Sequence, residues 1–480
     1  MQLRDRFDIT LEAIRAVAWE GQSVDIAPAA RALMDSRHTD FAATVAAALD
    51  ANPTALVYGV TSAPGDGAAR LLSAEEWAAR PTRLWTAASF GEPLPDRVVR
   101  GILLARLANF LGGHAAVRSE LAVAVTRMLD EELPRIPGQG NGGAGEILAL
   151  GHMFYGLAER LRPSAKERMA LINGSPCAAA LVADVVLAGR TRLTLVEEVF
   201  ALAVEAVGAP LEAYSEELEA LWGDEHESSA LSSLRALLEG HAADRQGHQA
   251  AVSFRILPRV LSQLRRALAE AERAATVALR SVTDNPVYVG PDPSHLHGAV
   301  LSNGGYHNPR ATAAIDGLAF ACADLCQLAQ RQTDHMLQHP VTRALLAPNE
   351  WTFKPLHMVQ AGWAEEARAL AQPSLLALGA YGQNDVPAMS FAAWRKADAI
   401  GRCLDASLAI LAVLAAHALN LGGRAAPPAL LALDRQVRDL VPPVREVRRL
   451  GPDCAALTAG FERRVFSGAV ASRSVGGSAG

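Results

Sequence analysis

The sequence predicts an all-α protein built around a bundle of long helices. Half of its 480 residues are hydrophobic and only 5% are aromatic, and few segments show the two-residue alternation typical of strands. Long helices with small apolar faces pack closely, which favours a large bundle. Three segments repeat apolar residues at helical spacing over lengths near or above the usual limit for a globular helix: 255–280, 311–336 and 391–421.

Turn residues separate these helices and divide the chain into three regions. Residues 138–145 (GQGNGGAG) and 290–305 (GPDPSHLHGAVLSNGG) are glycine-dense loops. The tail from Ser472 on is rich in Ser and Gly and is expected to fray. The predicted regions are an N-terminal domain that holds the first glycine loop (1–200), a central bundle of long helices (201–424) and a short helical tail (425–480).

Charge and cysteine content narrow the classes of partner. The net charge is −6 and basic residues form no runs, so neither a nucleic acid nor an anionic membrane is indicated. The longest apolar stretch, 406–421, is short for a bilayer and favours a buried core helix. The chain start has no secretory apolar region, and five scattered cysteines fit a reducing cytoplasm. Cys322 and Cys326 lie on an apolar helical stripe and are expected in the core.

The glycine loops admit several functions on local grounds. Glycine permits positive φ and close backbone approach, so residues 138–145 could form a plain turn before a helix that begins near Glu146, or an anion site at that helix N-terminus. His295 and His297 could bind a metal, but no carboxylate or cysteine partner is evident, and no metal site is predicted. No dinucleotide-binding glycine pattern or Ser/His/Asp elbow is found.

Six further segments occur in an order and spacing that resemble the histidine, phenylalanine and tyrosine ammonia-lyases and the related aminomutases. The resemblance covers roughly residues 50–425. It implies a central bundle of the ammonia-lyase (fumarase/aspartase-like) type and a carbon–nitrogen lyase. It also implies a homotetramer whose active sites draw residues from more than one subunit. The segments are 57–61 (VYGVT), 166–174 (KERMALING), 249–255 (QAAVSFR), 284–286 (DNP), 302–307 (SNGGYH) and 383–386 (QNDV).

The resemblance also implies a prosthetic group that this chain is not equipped to make. In that family an Ala-Ser-Gly tripeptide in a glycine-rich loop cyclises and loses water to form methylidene-imidazolone, the electrophile that attacks the substrate. The aligned residues here are Gly143, Ala144 and Gly145. Alanine has no β-hydroxyl to eliminate, so cyclisation would leave an unreactive methyl group. The sequence therefore predicts neither methylidene-imidazolone nor another cofactor.

Several residues match the family's site. Tyr58 matches the catalytic acid/base, provided that burial and nearby dipoles bring its pKa toward neutrality; a packed tyrosine is the alternative. Asn173 matches the amide that steadies the prosthetic group, or caps a helix. Arg255 matches the arginine that grips a substrate carboxylate through two parallel hydrogen bonds, or is an exposed helix arginine. Gln249 matches a polar site residue, and Tyr306 falls where the family places a substrate-contacting Phe.

Other positions depart from the family pattern around the missing electrophile. The loop after Tyr58 reads SAPG over residues 62–65 instead of Thr-Gly-Phe-Gly, and Thr86, beside Trp85, takes the selectivity position that is His in histidine lyases. Their clustering suggests a site rebuilt for another task, and the smaller side chains predict a larger or less polar pocket. The remaining departures are Val252 for a tyrosine, Gly305 for an asparagine and Asn384 for a Glu or Gln.

Three functions stay open. In the first, which the sequence favours, Arg255 anchors a carboxylate, Tyr58 moves a proton and the loop amides stabilise negative charge. Such a site could support elimination, addition, isomerisation or cyclisation of a small amino-acid-like or natural-product substrate. The second is a non-catalytic member that binds a ligand or partner. The third is a conventional aromatic amino-acid ammonia-lyase.

Overall fold

Helices dominate the structure, as predicted. This computed structural model describes residues 1–73, 75–76, 84, 86–242, 244–245, 249–296, 298–376 and 382–469. Trp85, His297 and the tail from Ser472 lie outside the described residues. The helices of the first half are α1 (Leu11–Ile14), α2 (Pro28–Ala51), α3 (Asp96–Leu111), α4 (Ser119–Arg127), α5 (Ile147–Leu161), α6 (Ala165–Ile172), α7 (Pro176–Val207), α8 (Glu217–Trp222) and α9 (Glu225–Leu238).

The second half holds the three long helices that the sequence predicts. They appear as α11, α12 and α16, with ends within two residues of the expected ones. Pro258 lacks the N–H that would bond to the carbonyl of Phe254, which explains why the first of them is separated from a short preceding helix. The helices are α10 (Val252–Arg255), α11 (Leu257–Arg280), α12 (Pro309–Gln338), α13 (Pro340–Leu346), α14 (Glu350–Phe353), α15 (Leu356–Leu370), α16 (Ser390–Leu421), α17 (Leu431–Leu440) and α18 (Gly451–Val465).

Strands are few and short in the described part of the chain. Strand β1 (Gln2–Leu3) pairs in parallel with β2 (Asp25–Ile26). Between α11 and α12, strand β3 (Val287–Val289) pairs antiparallel with β4 (Ala299–Leu301). This hairpin lies in the segment that connects the two helices.

Four long helices, α7, α11, α12 and α16, pack on one another at the centre of the bundle. In α11, Leu257, Leu261 and Leu264 recur at intervals of three or four residues and are completely buried, as expected for an amphipathic helix. Cys322 and Cys326 on α12 are also buried in this core, which confirms their predicted role.

Helix α7 spans 32 residues and was not singled out by the sequence. It is buried on nearly every face, so it shows no apolar stripe against a polar background. The domain boundary expected at residue 200 falls inside this helix. Buried residues from Leu3 to Val465 form one hydrophobic cluster, so the N-terminal region and the bundle share a core.

Three helical segments are long and apolar enough to cross a membrane when judged by length and composition alone. In Ala165–Val207 and Ser390–Leu421, 89% of the most apolar window is buried inside the protein, and in Pro309–Gln338 67% is. The stretch 406–421 within α16 is therefore a core helix of this fold, as predicted.

Candidate active site

A cavity of about 520 Å³ lies beside the segment that connects α11 to α12. Its volume is within the range of sites that hold a small molecule. Loops and helix ends that are distant in the sequence form its wall, which agrees with the clustering that the sequence implies. The predicted site residues that line it are Tyr58, Thr86, Ala144, Asn173, Tyr306 and Asn384.

Tyr58 lies in a turn rather than in the β-prone run expected from its sequence. The backbone N–H groups of Val60 and Thr61 both donate to the carbonyl of Val57, at 2.9 Å. Gly59 has φ +66°, and a Cβ there would come within 2.6 Å of the Met169 side chain, so the turn needs glycine. The close turn therefore packs Gly59 against Met169 of helix α6.

The Tyr58 hydroxyl oxygen accepts a hydrogen bond from the backbone N–H of Gly65 at 2.9 Å. Burial of the phenol raises the pKa of Tyr58, and this effect outweighs the opposing influence of the N–H donor. The pKa direction in a single subunit is therefore opposite to the one that an acid/base at neutral pH requires.

The glycine loop approaches the cavity through Ala144, between two glycines with left-handed backbone. Gly143 has φ +94° and Gly145 φ +70°. The Gly143 carbonyl accepts a hydrogen bond from the Ala388 N–H at 3.0 Å, which ties the loop to the residues before α16. Gly145 packs against the Tyr306 ring, 3.4 Å from where a Cβ would lie. The Ala144 methyl group stands where a serine hydroxymethyl would be.

Glu146 follows the loop and is a buried acid that the sequence did not reveal. The helix after the loop begins at Ile147, as expected, but the Glu146 carboxylate caps α7 instead. It accepts hydrogen bonds from the N–H groups of Cys177 at 2.6 Å and Ala178 at 2.7 Å. Burial raises the pKa of Glu146 to about 7, despite these donors. No local pattern distinguishes this buried acid from an exposed one in a first helical turn.

Asn173 follows the last residue of α6. Its φ is −98°, so it ends the helix without the left-handed conformation that its type would allow. The fully buried Arg106 guanidinium donates to the carbonyls of Asn173 and Ala170 and thereby anchors this helix end. Asn173 is both a helix cap and a cavity residue, so the two expectations for it are compatible.

Thr86 is 3% exposed and its hydroxyl has no hydrogen-bond partner within the described chain. It packs against Gly151 of α5, where a Cβ would lie only 2.3 Å from the threonine Oγ1. Trp85, which precedes Thr86, lies outside the described residues.

Asn384 joins the wall through the loop that follows Tyr58. The Asp66 carboxylate accepts hydrogen bonds from the Gln383 backbone N–H at 3.1 Å and from the Asn384 amide at 3.4 Å. The segment before α16 is thereby held against the Tyr58 loop.

Gln249, Val252 and Arg255 are exposed and do not line the cavity of their own chain. The Ser253 carbonyl beside them accepts a hydrogen bond from Gln332 near the end of α12, whereas Tyr306 precedes the start of that helix. With 1.5 Å of rise per residue, Gln332 lies about 35 Å along the helix from its first residue. A single subunit therefore separates Arg255 from Tyr58.

The second glycine loop shows no metal centre within its described part. His295 is exposed and pairs with Asp292, 3.3 Å away. No cluster of His, Cys, Asp and Glu able to hold a metal occurs among the residues that the structure describes.

Comparison with known proteins places this fold in one family. The family model described as aromatic amino acid lyase matches residues 9–160 and 155–440. A histidine ammonia-lyase of Symbiobacterium thermophilum is 30% identical over 440 residues, which cover 84% of this chain and 86% of that protein. The chain belongs to the aromatic amino acid lyase family.

Solved structures support the same all-α fold of this lyase family. The ergothioneine-degrading ergothionase of Treponema denticola superimposes with a TM-score of 0.85 at 18% identity, over 97% of this chain and 100% of that one. The tyrosine aminomutase of Streptomyces globisporus gives 0.81 at 22% identity, over 95% and 96%. At these identities the likeness establishes the fold alone.

The residues of the glycine loop do not fit the family's methylidene-imidazolone. That group needs a hydroxyl that leaves from the central side chain, and Ala144 carries a methyl group. The two glycines with positive φ make room for a bent loop, but they supply no reactive atom.

Proposed function

We propose that this lyase-family chain is an enzyme that works without methylidene-imidazolone on a small, carboxylate-bearing, amino-acid-like or natural-product substrate. The observation that supports the proposal is a cavity of ligand size in which Ala144 lies together with Tyr58 and Asn173. The electrophile's serine is missing, while Tyr58, Asn173 and Asn384, which the sequence places around the substrate, line the same cavity.

In the proposed reaction Tyr58 moves a proton at the carbon next to the carboxylate-bearing one. The backbone N–H groups of residues 143–145 stabilise the negative charge that develops. No covalent adduct is available to improve a leaving group, so the group that departs, adds or migrates does so without that help. Elimination, addition, isomerisation and cyclisation can all proceed without a covalent adduct.

The proposal includes a homotetramer in which Arg255 of a second subunit reaches the cavity. Arg255 is exposed, and its Nε donates to the Ala250 carbonyl at 3.0 Å. A guanidinium on the surface, beside the end of α12 that is remote from the cavity of its own chain, can serve a cavity only in another copy. The same guanidinium would lower the pKa of Tyr58, since a nearby cation favours phenolate.

Conventional ammonia release from histidine or a related aromatic amino acid is the second candidate. The names of the relatives favour it, including the histidine ammonia-lyase at 30% identity over most of the chain. The alanine at residue 144 favours the first candidate. A ligand-binding member without turnover is the third candidate, and the raised pKa of Tyr58 favours it.

Intact mass and turnover of the purified protein separate these candidates. The panel contains L-histidine, L-phenylalanine, L-tyrosine and their N-trimethylated forms, whose nitrogen stays cationic at any pH. We expect the mass of the unmodified chain, no ammonia from the free amino acids, and acrylate absorbance from a trimethylated form. Tyr58→Phe should abolish that turnover and Arg255→Ala should reduce it to a small residual rate, both with the fold intact.

Each other outcome identifies a different candidate. A mass lower by two water molecules, together with ammonia release, would establish the conventional lyase. Saturable binding of a panel compound without any product would establish the non-catalytic member. Full activity in both variants would overturn the assigned roles.

A further inference from the structure

The base of the β3–β4 hairpin forms part of the cavity wall and includes Asn285. The Asn285 Oδ1 accepts a hydrogen bond from the backbone N–H of Asn303 at 3.0 Å. A backbone N–H can only donate, so this bond identifies the oxygen of the amide and leaves the nitrogen on its other side. No described residue accepts a hydrogen bond from that nitrogen. Asn285 is 6% exposed, so its buried amide carries an unused donor at the cavity.

Asn303 fixes the orientation of this amide. Its own Nδ2 donates to the Asp284 carbonyl at 3.0 Å, and its Oδ1 accepts from the Gly305 N–H at 2.7 Å. Both ends of the Asn303 side chain are therefore bound to the backbone, which holds the N–H that Asn285 uses. The Asn285 nitrogen is a preorganised donor, because its orientation is set before a ligand binds.

A second amide, that of Asn173, lies near Asn285 in the same cavity. The N–H of Ser175 donates to the Thr283 hydroxyl at 2.9 Å, which joins the chain just after Asn173 to the chain just before Asn285. Asn173 is 8% exposed, and no hydrogen bond joins its side-chain amide to a described residue. A buried amide without a partner is costly, so the two side chains favour a ligand that supplies hydrogen bonds.

The charges around the cavity favour an uncharged group at these amides. The described lining contains no acidic residue, and its only charged side chain is that of Arg168. Arg168 donates from Nη1 to the Pro163 carbonyl at 3.1 Å and makes a further interaction within the chain. A charged group on the ligand would lose hydration there without an available counter-charge in the described lining. A neutral group with both a donor and an acceptor avoids that loss.

We propose that Asn285 and Asn173 bind an uncharged planar amide group on the side chain of the substrate. The carbonyl oxygen of that group accepts from the Asn285 Nδ2, and its N–H donates to the Asn173 Oδ1. The substrate class is then an amino-acid-like molecule whose side chain carries a carboxamide, ureido or lactam group. The inference rests on the proposed function in one respect, namely that no methylidene-imidazolone at Ala144 occupies the Asn173 amide.

Three fragments of similar size test the inference without turnover and without Arg255. Benzamide, benzoate and benzamidine differ in one planar group, which is neutral in the first, anionic in the second and cationic in the third. Calorimetry with the native oligomer measures their affinities. We expect benzamide to bind at least about fivefold more tightly than either charged fragment, within the usual gain of a matched hydrogen bond.

Asn285→Asp keeps the oxygen that accepts from Asn303 and replaces the donor by a carboxylate oxygen. Benzamide affinity should fall at least about fivefold, and benzamidine should become the tightest of the three, because its cation pairs with the new carboxylate. A purely structural role of Asn285 would not exchange the preference. Asn420→Asp is the matched control, because it adds the same charge at an exposed position near the end of α16, outside the cavity lining. It should keep the native preference.

Asn173→Leu removes the second amide and breaks no described side-chain hydrogen bond, so it provides a test that does not depend on the folding of Asn285→Asp. Replacing an unpaired buried polar group by an apolar group of similar size is neutral or stabilising. We expect an unchanged or higher Tm together with loss of the preference for benzamide over benzoate. A lower Tm with the preference intact would show that the Asn173 amide serves the fold and not a ligand.

Other outcomes separate this inference from the proposed function. Equal affinities of the three fragments, no binding of benzamide, or a benzamide affinity that Asn285→Asp leaves unchanged would overturn the inference. An unmodified mass with turnover but without the benzamide preference would overturn it alone. A mass lower by two water molecules would overturn the proposed function and the inference together.

Discussion

The backbone N–H of Gly65 lies 2.9 Å from the Tyr58 hydroxyl oxygen and donates to it at the cavity wall. An N–H donor favours the phenolate, yet burial of the ring dominates and raises the pKa of Tyr58. A tyrosine that acts as a base therefore needs a further positive charge. In the proposed assembly Arg255 of a second subunit supplies it.

Arg255→Ala should move the pH dependence of turnover. The phenolate is the base, so activity rises with pH through the pKa of Tyr58. Loss of a cation within contact distance should shift this limb to higher pH by about one to three units. Arg259→Ala removes a nearby arginine of α11 that pairs with Glu227, and it should leave the pH dependence unchanged. An identical limb in Arg255→Ala would contradict the electrostatic role.

Mixed oligomers of the two impaired variants, Tyr58→Phe and Arg255→Ala, should regain part of the activity. A Tyr58→Phe subunit keeps Arg255, and an Arg255→Ala subunit keeps Tyr58, so a fraction of the cavities in a mixed oligomer receives both native residues. Co-expression followed by activity measurement tests this, with native mass spectrometry to show that the variants have mixed. Mixed oligomers as inactive as either parent would argue that the two residues do not share a cavity.

Glu146→Gln should remove a decrease in the free energy of unfolding that the native protein shows as pH rises from about 4.5 to 7. The folded pKa of about 7 exceeds the ordinary value of 4.5. The protonated carboxyl therefore stabilises the fold fully below the ordinary pKa, and this contribution disappears as pH rises through 7. Its size is about 3 kcal/mol at 1.36 kcal/mol per pKa unit. Thermal unfolding across this pH range measures it.

Glu167→Gln is the matched comparison with the opposite sign. Burial alone would raise the pKa of Glu167, but the Arg118 guanidinium and two N–H donors lower it overall. This carboxylate stabilises the fold above its ordinary pKa and loses that effect as pH falls through the lowered one. Its replacement should therefore reduce stability at neutral pH. If the two substitutions change the pH dependence of stability in the same direction, the opposite pKa shifts of Glu146 and Glu167 are wrong.

Gly151→Ala should destabilise the protein and disturb Thr86. A Cβ at Gly151 would meet the Thr86 Oγ1 at 2.3 Å, so the threonine must move, at a cost of about 1–3 kcal/mol. Gly156→Ala, on the same helix, would meet only the Arg160 Nη1 at 3.8 Å and should stabilise α5 by up to about 1 kcal/mol. Denaturant unfolding measures both changes. Equal effects of the two substitutions would mean that the contact with Thr86 is not restrictive.

Ala144→Ser tests whether the loop geometry still supports cyclisation. The variant regains the hydroxyl in a Gly-Ser-Gly sequence, and both neighbouring glycines already have positive φ. We expect a mass lower by two water molecules and a new near-ultraviolet absorbance. Ala144→Thr carries a hydroxyl on a bulkier branched side chain and is expected to react less. An unmodified mass in Ala144→Ser would show that the loop backbone, and not only the side chain at residue 144, no longer supports cyclisation.

The sequence predicted two of the long helices from a one-sided pattern of apolar residues. Helices α11 and α12 each bury one stripe against the bundle, so their periodicity was visible. Helix α7 has no such contrast, because it is buried nearly all round, and it was not singled out. Tyr58 and Asn173 were brought together by a resemblance in segment order, while local propensity assigned the Tyr58 segment to a β-prone run.

The features that the sequence did not predict depend on the direction in which a side chain points. Glu146 and Arg168 lie in segments that were recognised, but a glutamate after a loop and an arginine in a short helix are ordinarily exposed. Only the packing of α6 and α7 shows that one caps a buried helix and the other lines the cavity.

Arg255 lies beside the end of α12 that is remote from the cavity of its own chain, so we expect specific activity to depend on protein concentration. Under the proposed assembly each cavity is completed by another molecule, so specific activity should fall once the protein concentration drops below the dissociation constant of the oligomer. Substrate with its carboxylate on Arg255 would link two chains and oppose that dissociation. Substrate occupancy and the fraction of assembled oligomer would then increase together, because bound substrate stabilises the assembly that forms its own binding site.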